Sequence, residues 1–284
     1  MKWVLTAVAG CALAVAGCGG GDAKNGLEGP QIGKAKSFEL VGLTPRQPVV
    51  PGKPVTLRFH VEQPQGGPLT KFKKGSGPHT GVHLIMVRDD LSAIIHRHPP
   101  VGKDGTLTQT VRFPSAGPWH VVADVYPDLG PNTAQNFQLT GKIDVKGGYH
   151  PKALPAFAAR QTIGGDRFAL QRPATLKALR PQFVTIDVRD AKGRPATFKE
   201  YYGALAHAIF FRKGSLAYFH THVCGTGAQA CAANVGGTAV TGRSTTPGKL
   251  RVGMLVPTAG TWKLFLQSEI DGKIVTAPYT LKVS

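Results

Sequence analysis

The chain has 284 residues, 42% of them hydrophobic, with 36 glycines, 22 prolines and a formal charge of +18. That apolar share is enough for packed cores and excludes a disordered chain. The basic excess is scattered as single lysines and arginines, with no stretch that interleaves basic and aromatic residues, so a nucleic-acid surface is excluded as well.

The first segment, "MKWVLTAVAGCALAVAGCGGG", has one early lysine, a short apolar run and then Cys18 followed by glycines. This is the anatomy of a secretory signal, too short and too rich in small residues for a dependable membrane span. "VAGC" at Val15 to Cys18 matches the bacterial lipobox, whose cysteine is acylated. The expectation is a signal peptide over 1–17, lipidation of Cys18, and a glycine-rich flexible tether over 18–35. An ordinary cleaved signal and a free secreted protein is the alternative. An extracytoplasmic protein held to a membrane by its N-terminal lipid would meet anionic envelope polymers or a protein partner with its basic surface.

The rest divides into two similar halves, read as module 1 over 36–147, a Gly/Pro/Ala-rich linker over 148–165, and module 2 over 166–284. "PVTLRFHV" in the first half corresponds to "QFVTIDV" in the second, with His60 falling on Asp187. "LTQTVRF" and "KLRVGMLV" each end at a proline and an "AG" turn. "WHVVADVY" and "WKLFLQSEI" follow, and "LTGKIDV" and "APYTLKV" close the modules. Short strands between Gly and Pro signals predict an all-β chain of two tandem immunoglobulin- or cupredoxin-like β-sandwiches. Trp119 and Trp262, at equivalent positions, read as core anchors.

Between these strands each half carries one shared motif. "HLIMVRDDLSAIIHRH" and "HAIFFRKGSLAYFHTH" both read His, twelve residues, His, one residue, His. A hairpin turning at Asp89–Asp90 would set His83 opposite His96, with His98 two residues further along the same face. A turn at Lys213–Gly214 would do the same for His207, His220 and His222. A one-residue slip would send the first histidine of each set to the other face. Three converging imidazoles suit a copper or zinc ion with a fourth position open. The competing reading makes the six histidines hydrogen-bonded framework. His79, four residues before His83, is a candidate fourth ligand in module 1 alone. His60 and His120 align with Asp187 and Lys263 in the other copy and stand outside the repeated feature. Cys224 and Cys231 flank the short loop "CGTGAQAC"; an exported compartment favours their disulfide, and the other reading makes Cys224 a soft ligand beside "HTH".

The two motifs, with "VPTAGTWKLFLQSEIDGKIVTAPYTLKV", resemble a group of secreted proteins and lipoproteins common in actinobacteria. These carry an H…DLxxxHxHP module followed by a PxAGx[WY] turn. The resemblance implies an immunoglobulin- or cupredoxin-like sandwich and supplies no established activity. Val223 stands where that pattern has proline.

Blue-copper electron transfer is disfavoured because no histidine follows Cys231, and a methionine-based Cu(I) site because few methionines remain. No phosphate loop, nucleophile elbow or carboxylate pair is visible, so no enzyme is expected. The reading is a lipid-anchored extracytoplasmic copper- or zinc-binding protein for metal delivery, buffering or sensing. The alternative is a non-catalytic envelope interaction protein with structural histidines.

Overall fold

A computed structural model describes residues 37–73, 81–130, 135–171, 175–226, 234–235 and 238–284. Cys18, His79 and Cys231 lie outside these residues. Every regular element among them is a strand, as the turn-rich sequence predicts.

Module 1 contains β1 (Glu39–Thr44), β2 (Pro54–Glu62), β3 (Val82–Arg88), β4 (Ile94–Arg97), β5 (Leu107–Arg112), β6 (Gly117–Val125) and β7 (Phe137–Val145). They form two sheets, β1-β2-β5 and β4-β3-β6-β7. The alternation in β2 sends Leu57, Phe59 and Val61 inward, where they meet Leu84, Met86, Trp119 and Val121 from the other sheet. Trp119 is fully buried, and its indole N–H donates to Ser115 O at 3.1 Å.

Module 2 repeats this plan with additions. Its strands are β8 (Arg160–Ile163), β9 (Asp166–Gln171), β10 (Gln182–Arg189), β11 (Phe198–Lys199), β12 (Ala206–Arg212), β13 (Tyr218–Cys224), β14 (Asn234–Val235), β15 (Thr238–Ala239), β16 (Gly242–Arg243), β17 (Lys249–Met254), β18 (Gly260–Ile270) and β19 (Lys273–Val283). One sheet runs β17-β10-β9-β8 and the other β11-β18-β12-β13-β16, with β19 also paired to β18. The order β13-β12-β18-β19 therefore repeats β4-β3-β6-β7. Trp262 is the counterpart of Trp119, buried and bonded to Thr258 O at 2.9 Å. The segment expected as a linker carries β8 at its end, because Gly164 and Gly165 turn it back onto β9 as a hairpin.

β3 is buried along its whole length, which a sheet with one wet face would not allow. Val82, Leu84 and Met86 enter the module 1 core, while Ile85 and Val87 on the opposite face pack with Ile209, Phe211, Tyr218 and Phe265 of module 2. The two modules thus press their β3 and β12 sheets together. Leu154, from the connecting segment, packs against the same apolar seam.

The hairpins differ from the expected register by two residues. Ile85, not His83, pairs with His96; His207 pairs with His222, and Ile209 with His220. The cause is a longer loop. Arg88 N–H donates to Ala93 O at 3.0 Å and Arg212 N–H to Ala217 O at 2.9 Å, closing four-residue loops with Leu91 and Leu216 left-handed at φ 60° and 56°. Asp90 braces the first loop by accepting from Ser92 N–H and Oγ at 3.0 and 2.7 Å. An even shift preserves the face, so the histidines stay together.

Candidate metal centre

β3, β4, β12 and β13 bring the six histidines of the two motifs to one place in the seam. All six are buried, with at most 8% exposure. The sequence suggests one site per module; the fold merges them. His83 lies 4.6 Å from His220 and His96 lies 4.8 Å from His207, measured between ring centroids. These two contacts are each other's equivalents under exchange of the modules, so the pairing is reciprocal. His83, His96, His207 and His220 offer ligand atoms that all lie within 4.8 Å of one another and could hold a metal ion. His98 and His222 adjoin them, with His98 5.0 Å from His96 and His222 4.7 Å from His220.

Within module 1, His96 Nε2 lies 3.3 Å from His83 Nδ1 and 3.1 Å from His98 Nε2. Within module 2, His207 Nδ1 lies 3.2 Å from His220 Nε2. Two neighbours fix which nitrogens carry lone pairs. His96 Nδ1 meets Gln267 Oε1 at 3.1 Å, and Gln267 Nε2 in turn donates to Thr276 Oγ1 at 3.2 Å. His207 Nε2 meets the Tyr201 carbonyl at 2.7 Å. Both oxygens accept only, so the outer ring nitrogens must donate. In a neutral imidazole the inner ones, His96 Nε2 and His207 Nδ1, then present lone pairs to the cluster.

Burial disfavours the charged form of an imidazole. His83, His96 and His220 are held well below the usual imidazole range, first by burial and then by the nearby imidazoles. Neutral imidazole is the form that binds metals. Asp124, paired with His83 across β3 and β6, is pushed up by burial to about 7. It accepts from Asn136 Nδ2 at 2.6 Å and from the Tyr218 hydroxyl of module 2 at 3.2 Å. Tyr202 stacks on His98 with ring centroids 3.9 Å apart and planes 8° apart.

His60 sits beside Glu62 at 3.4 Å, away from the cluster, and half-buried His120 meets the edge of Phe211. Cys224 is buried at the end of β13, while its expected partner lies outside the described residues. Asp124, Gln267, Tyr201, Tyr202 and Tyr218 were not legible as site residues. Asp124 and Gln267 did carry a signal, since each stands five residues after the aligned tryptophan. An odd offset in a strand places them on the face away from the core.

No curated protein matches the chain. Solved structures that the chain is similar to include a Salmonella alpha-2-macroglobulin (14% identity, TM-score 0.24, covering 88% of this chain and 15% of that one). A tetra-tandem repeat of a large adhesion protein gives 9% identity and TM-score 0.26, over 88% of this chain and 50% of that one. The ICAM-5 D1–D4 fragment gives 15% identity and TM-score 0.23, over 87% and 53%. The chain spans only a part of each. A family profile matches twice, over residues 38–142 and 161–284, so the chain belongs to the family described as domain of unknown function DUF8832, of which it carries two copies.

Proposed function

We propose that the protein binds copper or zinc at the histidine cluster where its modules meet, as an extracytoplasmic metal-handling protein for delivery, buffering or sensing. One observation carries this reading: two buried imidazoles, His96 and His207, have their outer nitrogens committed to acceptors, which in the neutral form leaves their lone pairs aimed at further imidazoles. A framework role requires only that each ring be satisfied. Fixing the lone pair inward is what a metal ligand needs. All-imidazole donor sets suit Zn(II) and Cu(II).

The lipobox and tether belong to the same proposal. They would hold the protein at the cell envelope through an acylated Cys18, in keeping with the actinobacterial resemblance. A Cys224–Cys231 disulfide would fit the exported compartment.

The test is a titration of the full chain with Zn(II), Cu(II) and Cu(I), beside His96→Ala and His207→Ala. Tight binding that both variants weaken supports a shared metal site. If the wild type binds no better than the variants, while the variants lose thermal stability, the histidines are framework and the envelope-interaction reading takes over.

A further inference from the structure

The reciprocal arrangement leaves two ways to load the cluster. One ion could sit between the modules on His83, His96, His207 and His220. Alternatively, each module could hold its own ion on its own three histidines. Donor spacing discriminates between them. Nitrogens bound at about 2.0–2.1 Å around a tetrahedral ion lie about 3.3–3.4 Å apart. Within module 1 the separations from His96 Nε2 to His83 Nδ1 and His98 Nε2 are 3.3 and 3.1 Å, close to that value. His207 Nδ1 and His220 Nε2, at 3.2 Å, repeat it in module 2. The four donors taken across the seam spread more loosely, over as much as 4.8 Å.

Resting on the metal-binding reading, we infer that the cluster is a dinuclear centre. One copper or zinc ion sits on His83, His96 and His98, and a second on His207, His220 and His222. Rings of opposite trios approach to 4.6 and 4.8 Å, and His222 comes within 5.4 Å of His83. Ligand sets this close would allow two ions to lie near one another, as in two-metal sites, where the ions are about 3.5–4 Å apart. Three ligands per ion would leave one position open on each. Six neutral ligands would not offset two divalent charges, so a loaded pair would also draw a small anion from solution. The two outer histidines thereby gain a role the single-ion arrangement does not give them. Tyr202, stacked flat on His98, holds one of them in place.

Native mass spectrometry of the full chain, loaded with Zn(II) alone and separately with Cu(II) alone, reads the number of ions bound. The expected result is two per wild-type chain, falling to one in His98→Ala and one in His222→Ala. Thermal melting of the metal-free variants checks that each is folded, and His98→Gln provides a second, milder variant. One ion per wild-type chain, with His98→Ala unchanged, would overturn the dinuclear centre and leave the metal-binding reading standing. No ion on the wild type would overturn both.

Discussion

Acidification should unfold this protein more steeply than its carboxylates alone would. His83, His96 and His220 are neutral in the fold, whereas in the unfolded chain they titrate near the ordinary 6.5. Above that value both states are neutral and nothing is gained or lost. Below it the unfolded chain takes up protons that the buried rings refuse, so stability falls as the pH falls. Each ring then costs about 1.4 kcal/mol per pH unit, and three together about 4 kcal/mol. Asp124 works the other way. Its carboxyl is raised by burial from 3.8 to about 7, so between those values the folded chain keeps a proton that the unfolded chain has lost. Acidification through that window stabilises the fold by about 1.4 kcal/mol per unit. The net loss between about pH 6 and pH 5 is roughly 2–3 kcal/mol, a large share of the ~5–15 kcal/mol typical of a folded domain. The assay is urea unfolding of the metal-free chain, in chelator, across this range. Midpoints that stay level or rise on acidification would refute the reasoning, because they would mean that the rings protonate without leaving the fold.

Three further outcomes are expected. Asp124→Asn removes the opposing carboxyl; it should raise stability near pH 8 by at most about 4 kcal/mol and steepen the acid loss, both read from the same urea series. Gln267→Ala frees the outer nitrogen of His96 and should weaken metal affinity about 10–100-fold in a zinc titration, whereas Gln267→Glu, which keeps an acceptor there, should hold it. Leu179 is 73% exposed with φ 56°, so Leu179→Gly relieves a left-handed backbone with little packing lost and should add about 1 kcal/mol in urea unfolding.

The strand-and-turn grammar was readable because its signals are local. Alternation in β2, the proline and "AG" turns before the tryptophans, and the repeated histidine spacing each lie within a few residues. The hairpin register was missed by two because left-handed Leu91 and Leu216 do not advertise themselves as glycine would, and the longer loops depend on them. The histidine face survived only because the error was even. The convergence of the two sets was out of reach for a different reason. That β3 is covered on both faces follows from module packing, although its unbroken apolar run, "LIMV", hints at it. Gln267 acts on His96 from 171 positions away along the chain, and no spacing rule links the two. Tyr201 is only six residues from His207, but it acts through its backbone carbonyl, which no side-chain pattern signals.

The reciprocal seam has a consequence for how the two copies can differ. Two separate single-module chains meeting this way would form a symmetric dimer, in which every residue appears on both sides and the pairing dissolves on dilution. Joining them in one polypeptide makes the encounter independent of concentration. It also releases the partners from being identical. Asp124 can accept from Tyr218 while its equivalent, Gln267, accepts from His96, a division of labour that a dimer of identical subunits could not adopt. The six imidazoles are held in common, and what surrounds them differs from one side to the other.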